Sequence, residues 1–337
     1  MQLFGVDIDQ RPAFIAEVGV NHEGDIRKAI ELISLAKAAG ADAVKFQSYT
    51  AQFYAASDDQ ERFERVKRFG LTLEQHRELK AHADDEGIEF FSTPLSEDWV
   101  EHLDPLVSVF KIASGDLTFE PVLRAVAMSR KKIILSTGMG NHEEIARAVE
   151  VIQKVRRDQA LSEFLVLMHC VSAYPTPLDE ANVSAVLDLA ATYGVRAGYS
   201  NHVIGMQAPL SAVALGAKVV EVHFTDRKEG RDFRDHQLSF DADDLRSFVD
   251  QALQMHSAIG GGKKTVMPCE KMSIKAGRKG LIAAHDLPAG HKICDEDVAY
   301  ARPERDFGCN DKPLVLGKTL RMGLSSGESI LKRHLDT

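Results

Sequence analysis

The chain has 337 residues, 44% hydrophobic and 27% charged, enough for one large folded domain and a small one. Its formal net charge of −9 supplies no global positive field for nucleic acid or an anionic membrane surface, so any anionic ligand must be held by local groups. No basic region followed by an apolar run opens the sequence, and no stretch approaches the roughly 18 uninterrupted apolar residues of a membrane span, so a cytoplasmic protein is expected.

Short β-rich runs alternate with segments of helical apolar spacing up to the triplet Gly260–Gly262. The strand candidates are Ala13–Val18, Ala43–Phe46, Glu89–Ser92, Val109–Ile112, Lys132–Ser136, Leu165–His169, Arg196–Ser200 and Val219–Phe224. Between them the spacing predicts helices such as Ile26–Ala39, with Ile30, Ile33, Leu35 and Ala38 on one face, and His142–Val155, with Ile145, Val149, Ile152 and Val155. Eight such units match a (β/α)8 barrel over 1–262, and no G-x-G-x-x-G of a dinucleotide-binding sheet follows any strand. Residues 263–277 are basic and weakly periodic and read as a linker. In 278–337 the expected elements are a strand at Gly280–Ala284, a turn at Leu287–Gly290, a strand at Leu320–Leu324 and a turn at Ser325–Gly327, giving a small β-rich domain. The cysteines, Cys170, Cys269, Cys294 and Cys309, form no C-x-x-C pair, and reduced structural thiols are expected.

In a barrel of this type the active site lies at the C-terminal ends of the strands. Those ends carry Glu17 in AEVGVNHEG, Lys45 and Gln47 in VKFQ, Thr93 in STP, Lys111 and Ser114 in FKIASGD, and Ser136 in ILSTGM. They continue with His169, Ser172 and Tyr174 in HCVSAYPTP, Ser200 and His202 in GYSNH, and His223 in EVHF. A serine or threonine closing a strand is commonly a helix cap, and a single histidine is commonly a hydrogen-bonded core residue. Lys45 and Lys111 are harder to assign to structure: they stand in otherwise apolar strands, where an ammonium needs a ligand or a carboxylate, and Glu17 is one such partner. Lysines, hydroxyls and paired histidines at one mouth suit a phosphate and a divalent metal. The charged loop Arg227–His236 follows the eighth strand and can reach the mouth, where Asp235 would accept a hydrogen bond from a sugar hydroxyl.

Taken in order, these motifs and EVHFTDR resemble the signatures of sialic acid synthases. The tail, RKGLIAAHDLPAGHKICDEDVAYARPE with GKTLRMGLSSGESI, is similar to the antifreeze-like (SAF) domain that follows the barrel in that family. The resemblance implies condensation of phosphoenolpyruvate with the open-chain aldehyde of an N-acetylated hexosamine, N-acetylmannosamine first, giving a nine-carbon 2-keto acid and phosphate with Mn²⁺ or Mg²⁺. It implies that His202 and His223 hold the metal and that Lys45, Thr93, Lys111, Ser114, Ser136, Ser172 and Ser200 bind phosphoenolpyruvate. It assigns Glu17 to proton management and puts Gln47, Asp116, Tyr174, Asp235 and Arg302 on the sugar, with Arg302 delivered by the tail of a domain-swapped homodimer. Departures from the commoner pattern fall at Ser172 (Asn), Asn201 (Asp), Asp116 (Glu), Val222 (a basic residue) and Glu304 (Gly), mainly on the sugar and metal side. They leave open a 2,4-diacetamido-trideoxyhexose or another aldose as acceptor, and a catalytically silent sugar-binding or ice-binding module as a reading of another class.

Overall fold

The computed structural model describes residues 1–231 and 233–336, with the backbone alone at Lys275. The chain divides into two compact units, Met1–Gly260 and Gly261–Thr337.

In the first unit eight parallel strands form one sheet: β1 (Ala13–Gly19), β2 (Ala43–Ser48), β3 (Glu89–Pro94), β4 (Val109–Ile112), β5 (Lys132–Ser136), β6 (Leu165–His169), β7 (Arg196–Asn201) and β8 (Val219–His223). The order is β3-β2-β1-β8-β7-β6-β5-β4, and the two end strands, β3 and β4, lie against each other, which rounds the sheet into a (β/α)8 barrel. Almost every strand residue is buried, as expected for a parallel sheet covered on both faces, and this is why the strands read as short continuous apolar runs. The eight outer helices are α1 (Ile26–Ala38), α2 (Leu73–Glu86), α3 (Asp98–Leu103), α4 (Glu120–Met128), α5 (His142–Val155), α6 (Ala185–Tyr193), α7 (Gln207–Ala214) and α8 (Ala242–Ile259).

Several helix starts are fixed by side chains that satisfy the free N–H groups of the first turn. Asp25 caps α1, and reciprocal capping boxes open α2 (Thr72 with Gln75), α5 (Asn141 with Glu144) and α8 (Asp241 with Asp244). An antiparallel pair, Gln2–Leu3 with Val6–Asp7, precedes the barrel and had no periodic signature, being two residues per strand. Its Phe4 ring lies 4.8 Å from Phe91 of β3.

The second unit holds a helix, α9 (Lys271–Gly277), inside the segment expected to be a linker, then β9 (Gly280–Ala283) paired antiparallel with β10 (Val298–Ala301). The turns at Gly290 and Gly327 are present, each with its glycine at positive φ, 80° and 82°. The strand expected at Leu320–Leu324 is instead a pair of separate bridges, Leu320 to Leu335 and Leu324 to Leu287, with exposed turn residues between them. Leu320 and Leu324 are buried in the unit's own core, beside Leu281, Ile293, Phe307 and Ile330, while Met322 between them is exposed, and there is no continuous ladder.

Candidate active site

The parallel register sets the site. Glu17 of β1 is opposite Lys45 of β2 on one side and His223 of β8 on the other, Gln47 is opposite Thr93 of β3, and Ser200 of β7 is opposite Glu221 of β8. Strand residues two apart share a face, so Lys45 with Gln47 and Glu221 with His223 are set by the same periodicity.

The charged groups form one buried cluster. Lys45 Nζ lies 2.8 Å from Glu17 Oε2 and 3.6 Å from Glu221 Oε1, and Lys111 Nζ of β4 lies 3.5 Å from the same Glu221 oxygen. Ser200 donates to Glu221 at 3.0 Å, Lys45 donates to Thr93 at 3.2 Å, and Gln47 Nε2 donates to Glu17 Oε1 at 3.2 Å. None of the four charged residues is more than 4% exposed. Burial alone disfavours every one of these charges, and their mutual attraction compensates. Against the cost of its burial, Lys45 is pushed up by Glu17 and Glu221; against its own, Glu221 is pulled down by Lys111 and Lys45 with help from Ser200. Lys111 goes the other way: burial, with Lys45 adding, lowers it in spite of Glu221. Lys111 is therefore the less compensated ammonium of the two and the one with most to gain from an arriving anion.

Beside this cluster the loops after β4, β5 and β6 meet around Gly138. Its N–H donates to Ser114 Oγ at 3.0 Å, and Ser114 Oγ lies 3.1 Å from Cys170 Sγ. A Cβ on Gly138 would stand 2.4 Å from Ser172 Oγ and 2.9 Å from both Cys170 Sγ and Ser114 Oγ, so only glycine leaves the hydroxyls in place. Ser136 is buried at the end of β5, and its Oγ has no hydrogen-bond partner among the described residues, nor has Glu221 Oε2. Free polar atoms of this kind are costly in a packed core and fit a site that receives a polar ligand.

The two histidines come together. Their ring centroids are 5.3 Å apart, and the Tyr174 ring lies 4.1 Å from His202 and edge-on at 5.8 Å from His223. His202 Nδ1 is 2.6 Å from the Val171 carbonyl, which fixes that nitrogen as the donor and leaves Nε2 as a free base. Burial, then His223, pushes the His202 imidazole down to about 3, so it is neutral near pH 7. Among the described residues no cluster of three or more His, Cys, Asp or Glu side chains has a metal-binding arrangement. Two adjacent imidazoles suit a metal that completes its shell with substrate and water, and they do not make a closed structural site.

Of the residues expected on the sugar, Asp235 sits at the start of a short helix, Asp235–Leu238, with Arg234 Nε 3.3 Å away. Asp116 ends the 3₁₀ turn Ser114–Asp116, where burial pushes its carboxyl up to about 6, and its Oδ2 has no partner among the described residues. His169 is tied to the Ala181 carbonyl at 2.9 Å. Arg302 belongs to the other unit, where it follows β10 and donates through Nε to the Gly277 carbonyl. A groove of about 800 Å³ lined by residues such as Phe53, Asp98, Phe119 and Met128 includes none of the residues above.

Glu221 escaped the sequence reading because the run VVEVHF looks like an ordinary buried strand; counting back two residues from His223 would have found it. Cys170 and Gly138 lay inside quoted motifs, and only the geometry gives them contacts with the hydroxyls.

The NeuB family pattern matches residues 32–264 and the SAF domain pattern residues 278–336. The chain belongs to the NeuB family. This NeuB-family chain is 35% identical to a Campylobacter jejuni protein named N,N'-diacetyllegionaminic acid synthase, over 95% of this chain and 99% of that one. It is 30% identical to a human protein named N-acetylneuraminate-9-phosphate synthase, over 97% of this chain and 94% of the other. A crystal structure of an N-acetylneuraminic acid synthetase from Leptospira borgpetersenii superposes with a TM-score of 0.74 at 32% identity, covering 79% of this chain and 91% of that one.

Proposed function

We propose that this NeuB-family protein condenses phosphoenolpyruvate with the aldehyde of an N-acetylated hexosamine, releasing phosphate and a nine-carbon 2-keto sugar acid, with N-acetylmannosamine as the parent acceptor. The observation that carries the reading is the buried cluster of Lys45, Lys111, Glu17 and Glu221 at one end of the barrel, next to the paired imidazoles of His202 and His223. Lys45 and Lys111, with Thr93, Ser114, Ser136, Ser172 and Ser200, bind the phosphate and carboxylate of phosphoenolpyruvate, so that its C3 is held toward the aldehyde before any bond forms. His202 and His223 would hold a Mn²⁺ or Mg²⁺ ion, the Lewis acid for the aldehyde oxygen.

The carbon–carbon bond forms from C3 to the aldehyde carbon; water adds at C2, and the tetrahedral centre loses phosphate by C–O cleavage. Glu17, held by Gln47 and paired with Lys45, manages the protons of the water step. Gln47, Asp116, Tyr174 and Asp235 contact the sugar, and Arg302 joins them from the tail of a neighbouring subunit in a domain-swapped homodimer. A mass of two chains by light scattering is the expected result for that assembly.

A second acceptor class, a 2,4-diacetamido sugar, is supported by the 35% identity to the legionaminic acid synthase. The deciding assay is phosphate release from phosphoenolpyruvate with Mn²⁺, run against N-acetylmannosamine, a 2,4-diacetamido sugar and mannose, with EDTA as control. Metal-dependent release with an amino sugar is expected; ligand binding with no release from folded protein would point instead to a binding module.

A further inference from the structure

The turn after β1, residues 20–24, carries Asn21, a buried side chain to which the reaction gives no part. Its amide has two N–H donors, and both are used: Nδ2 donates to the Phe224 carbonyl at 2.9 Å and to Ser239 Oγ at 3.0 Å. Ser239, also buried, donates in turn from Oγ to the Asp235 carbonyl at 2.6 Å. A hydroxyl that accepts one bond and donates the next gives the series a single direction, so the three residues form one chain of donors running from Asn21 to Asp235.

The chain joins the parts of the mouth that the reaction needs in register. Asn21 stands four residues beyond Glu17 of β1, and Phe224 follows His223 directly at the end of β8. Beyond Asp235 the backbone returns to β8 at Phe240, whose N–H donates to the His223 carbonyl at 2.7 Å and whose carbonyl accepts from Thr225 N–H at 2.9 Å. The helix Asp235–Leu238 is a single turn, too short for its own hydrogen bonds to fix it. The link through Ser239 and Asn21 ties that turn to the two strands carrying Glu17 and His223.

Resting on the proposed condensation, we infer that Asn21 and Ser239 are positioning residues for the acceptor sugar: they touch no substrate, and they set where the Asp235 carboxylate meets it. Drift of Asp235 loosens the sugar and leaves phosphoenolpyruvate in place, because Lys45, Lys111 and the strand-end hydroxyls hold that substrate without Asp235.

The test is steady-state phosphate release by the full chain with Mn²⁺, each substrate varied in turn, using N-acetylmannosamine or the 2,4-diacetamido sugar according to which the wild type turns over. Ser239→Ala and Asn21→Ala break the chain at different links, and thermal midpoints establish that the protein assayed is folded. Each variant is expected to raise KM for the sugar on the order of 10-fold while kcat and KM for phosphoenolpyruvate stay within about twofold, as when one substrate alone loses binding. Ser239→Thr keeps the hydroxyl and recovers most of the wild-type KM. In Asp235→Ala, where the carboxylate is already gone, adding Ser239→Ala changes the sugar KM by less than about twofold. An unchanged sugar KM, an equal rise in both KM values, or a full Ser239→Ala effect in the Asp235→Ala background overturns the inference and leaves the condensation standing. No phosphate release by the wild type with either sugar overturns the condensation and this inference together.

Discussion

Glu221 touches both lysines, whereas Glu17 touches one, and the difference sets what each carboxylate is worth. Removing Glu221 leaves Lys45 with Glu17 and strands Lys111, a buried ammonium with no carboxylate. Glu221→Gln is expected to cost about 3–5 kcal/mol of stability in addition to turnover, as breaking a buried pair does. Glu17→Gln leaves Lys45 its second partner, so loss of turnover with a smaller stability loss is expected. Denaturant midpoints of the two variants check this, and equal midpoints would overturn the ranking. At Gly138 the close approach of three side-chain atoms makes a methyl group intolerable without displacing Ser114 or Ser172. Gly138→Ala should fold, keep its thermal midpoint within a few degrees, and lose on the order of 10²-fold in kcat/KM for phosphoenolpyruvate, the scale of loss from an ångström-sized misplacement.

The elements were legible wherever burial imposed a period. All eight barrel strands lie within two residues of where alternating β-rich and helical runs put them, because a parallel sheet covered by helices must be apolar throughout. What did not show was structure too short to repeat: the two-residue N-terminal pair, helix α9 in the basic segment, and the bridges around Leu320 and Leu324. Site residues were legible as polar interruptions at strand ends, and Glu221 was not, since it lies two residues inside a run that ends in a histidine already noticed.

Between β2, β3 and α2 a polar column passes through the packing: Ser92 Oγ to Ser48 Oγ at 2.6 Å, Ser48 to His76 Nε2 at 2.6 Å, and His76 Nδ1 to the Thr72 carbonyl at 2.8 Å. Burial lowers His76 from 6.5 to about 4, so the native state prefers the neutral ring. Unfolding lets the ring bind a proton near pH 6.5, and the native ring does not until about pH 4. The stabilisation is therefore complete above pH 6.5 and is lost as the pH falls from there toward 4. In His76→Gln the slope of stability against pH across that window should be shallower by up to about 1.4 kcal/mol per pH unit. Denaturation curves at pH 7 and pH 5 measure it, and an unchanged slope would assign the acid sensitivity to other groups such as His22, which burial lowers to about 3.

At the scale of the whole molecule the chain is two packed units with an exposed stretch of backbone between them. Residues 257–273 are exposed throughout, and Lys263 and Lys264 lie in that stretch just beyond α8. Limited trypsin digestion should cut there first, leaving a barrel fragment and a tail fragment that mass spectrometry identifies, because each unit has its own apolar core. Early cuts inside the barrel instead would contradict the two-unit division.

The distribution of thiols gives this division a practical use. Cys170 is buried in the barrel among the serines around Gly138, while Cys269, Cys294 and Cys309 are exposed and all belong to the second unit. The single tryptophan of the chain, Trp99, is buried in α3 of the barrel. A thiol-reactive dye would therefore settle on the tail and leave the barrel unlabelled, with the indole as the one native donor on the other side. Energy transfer from Trp99 to such a dye would report tail-to-barrel distance in the unmutated protein, and mixing labelled with unlabelled chains would separate transfer within a chain from transfer between partners.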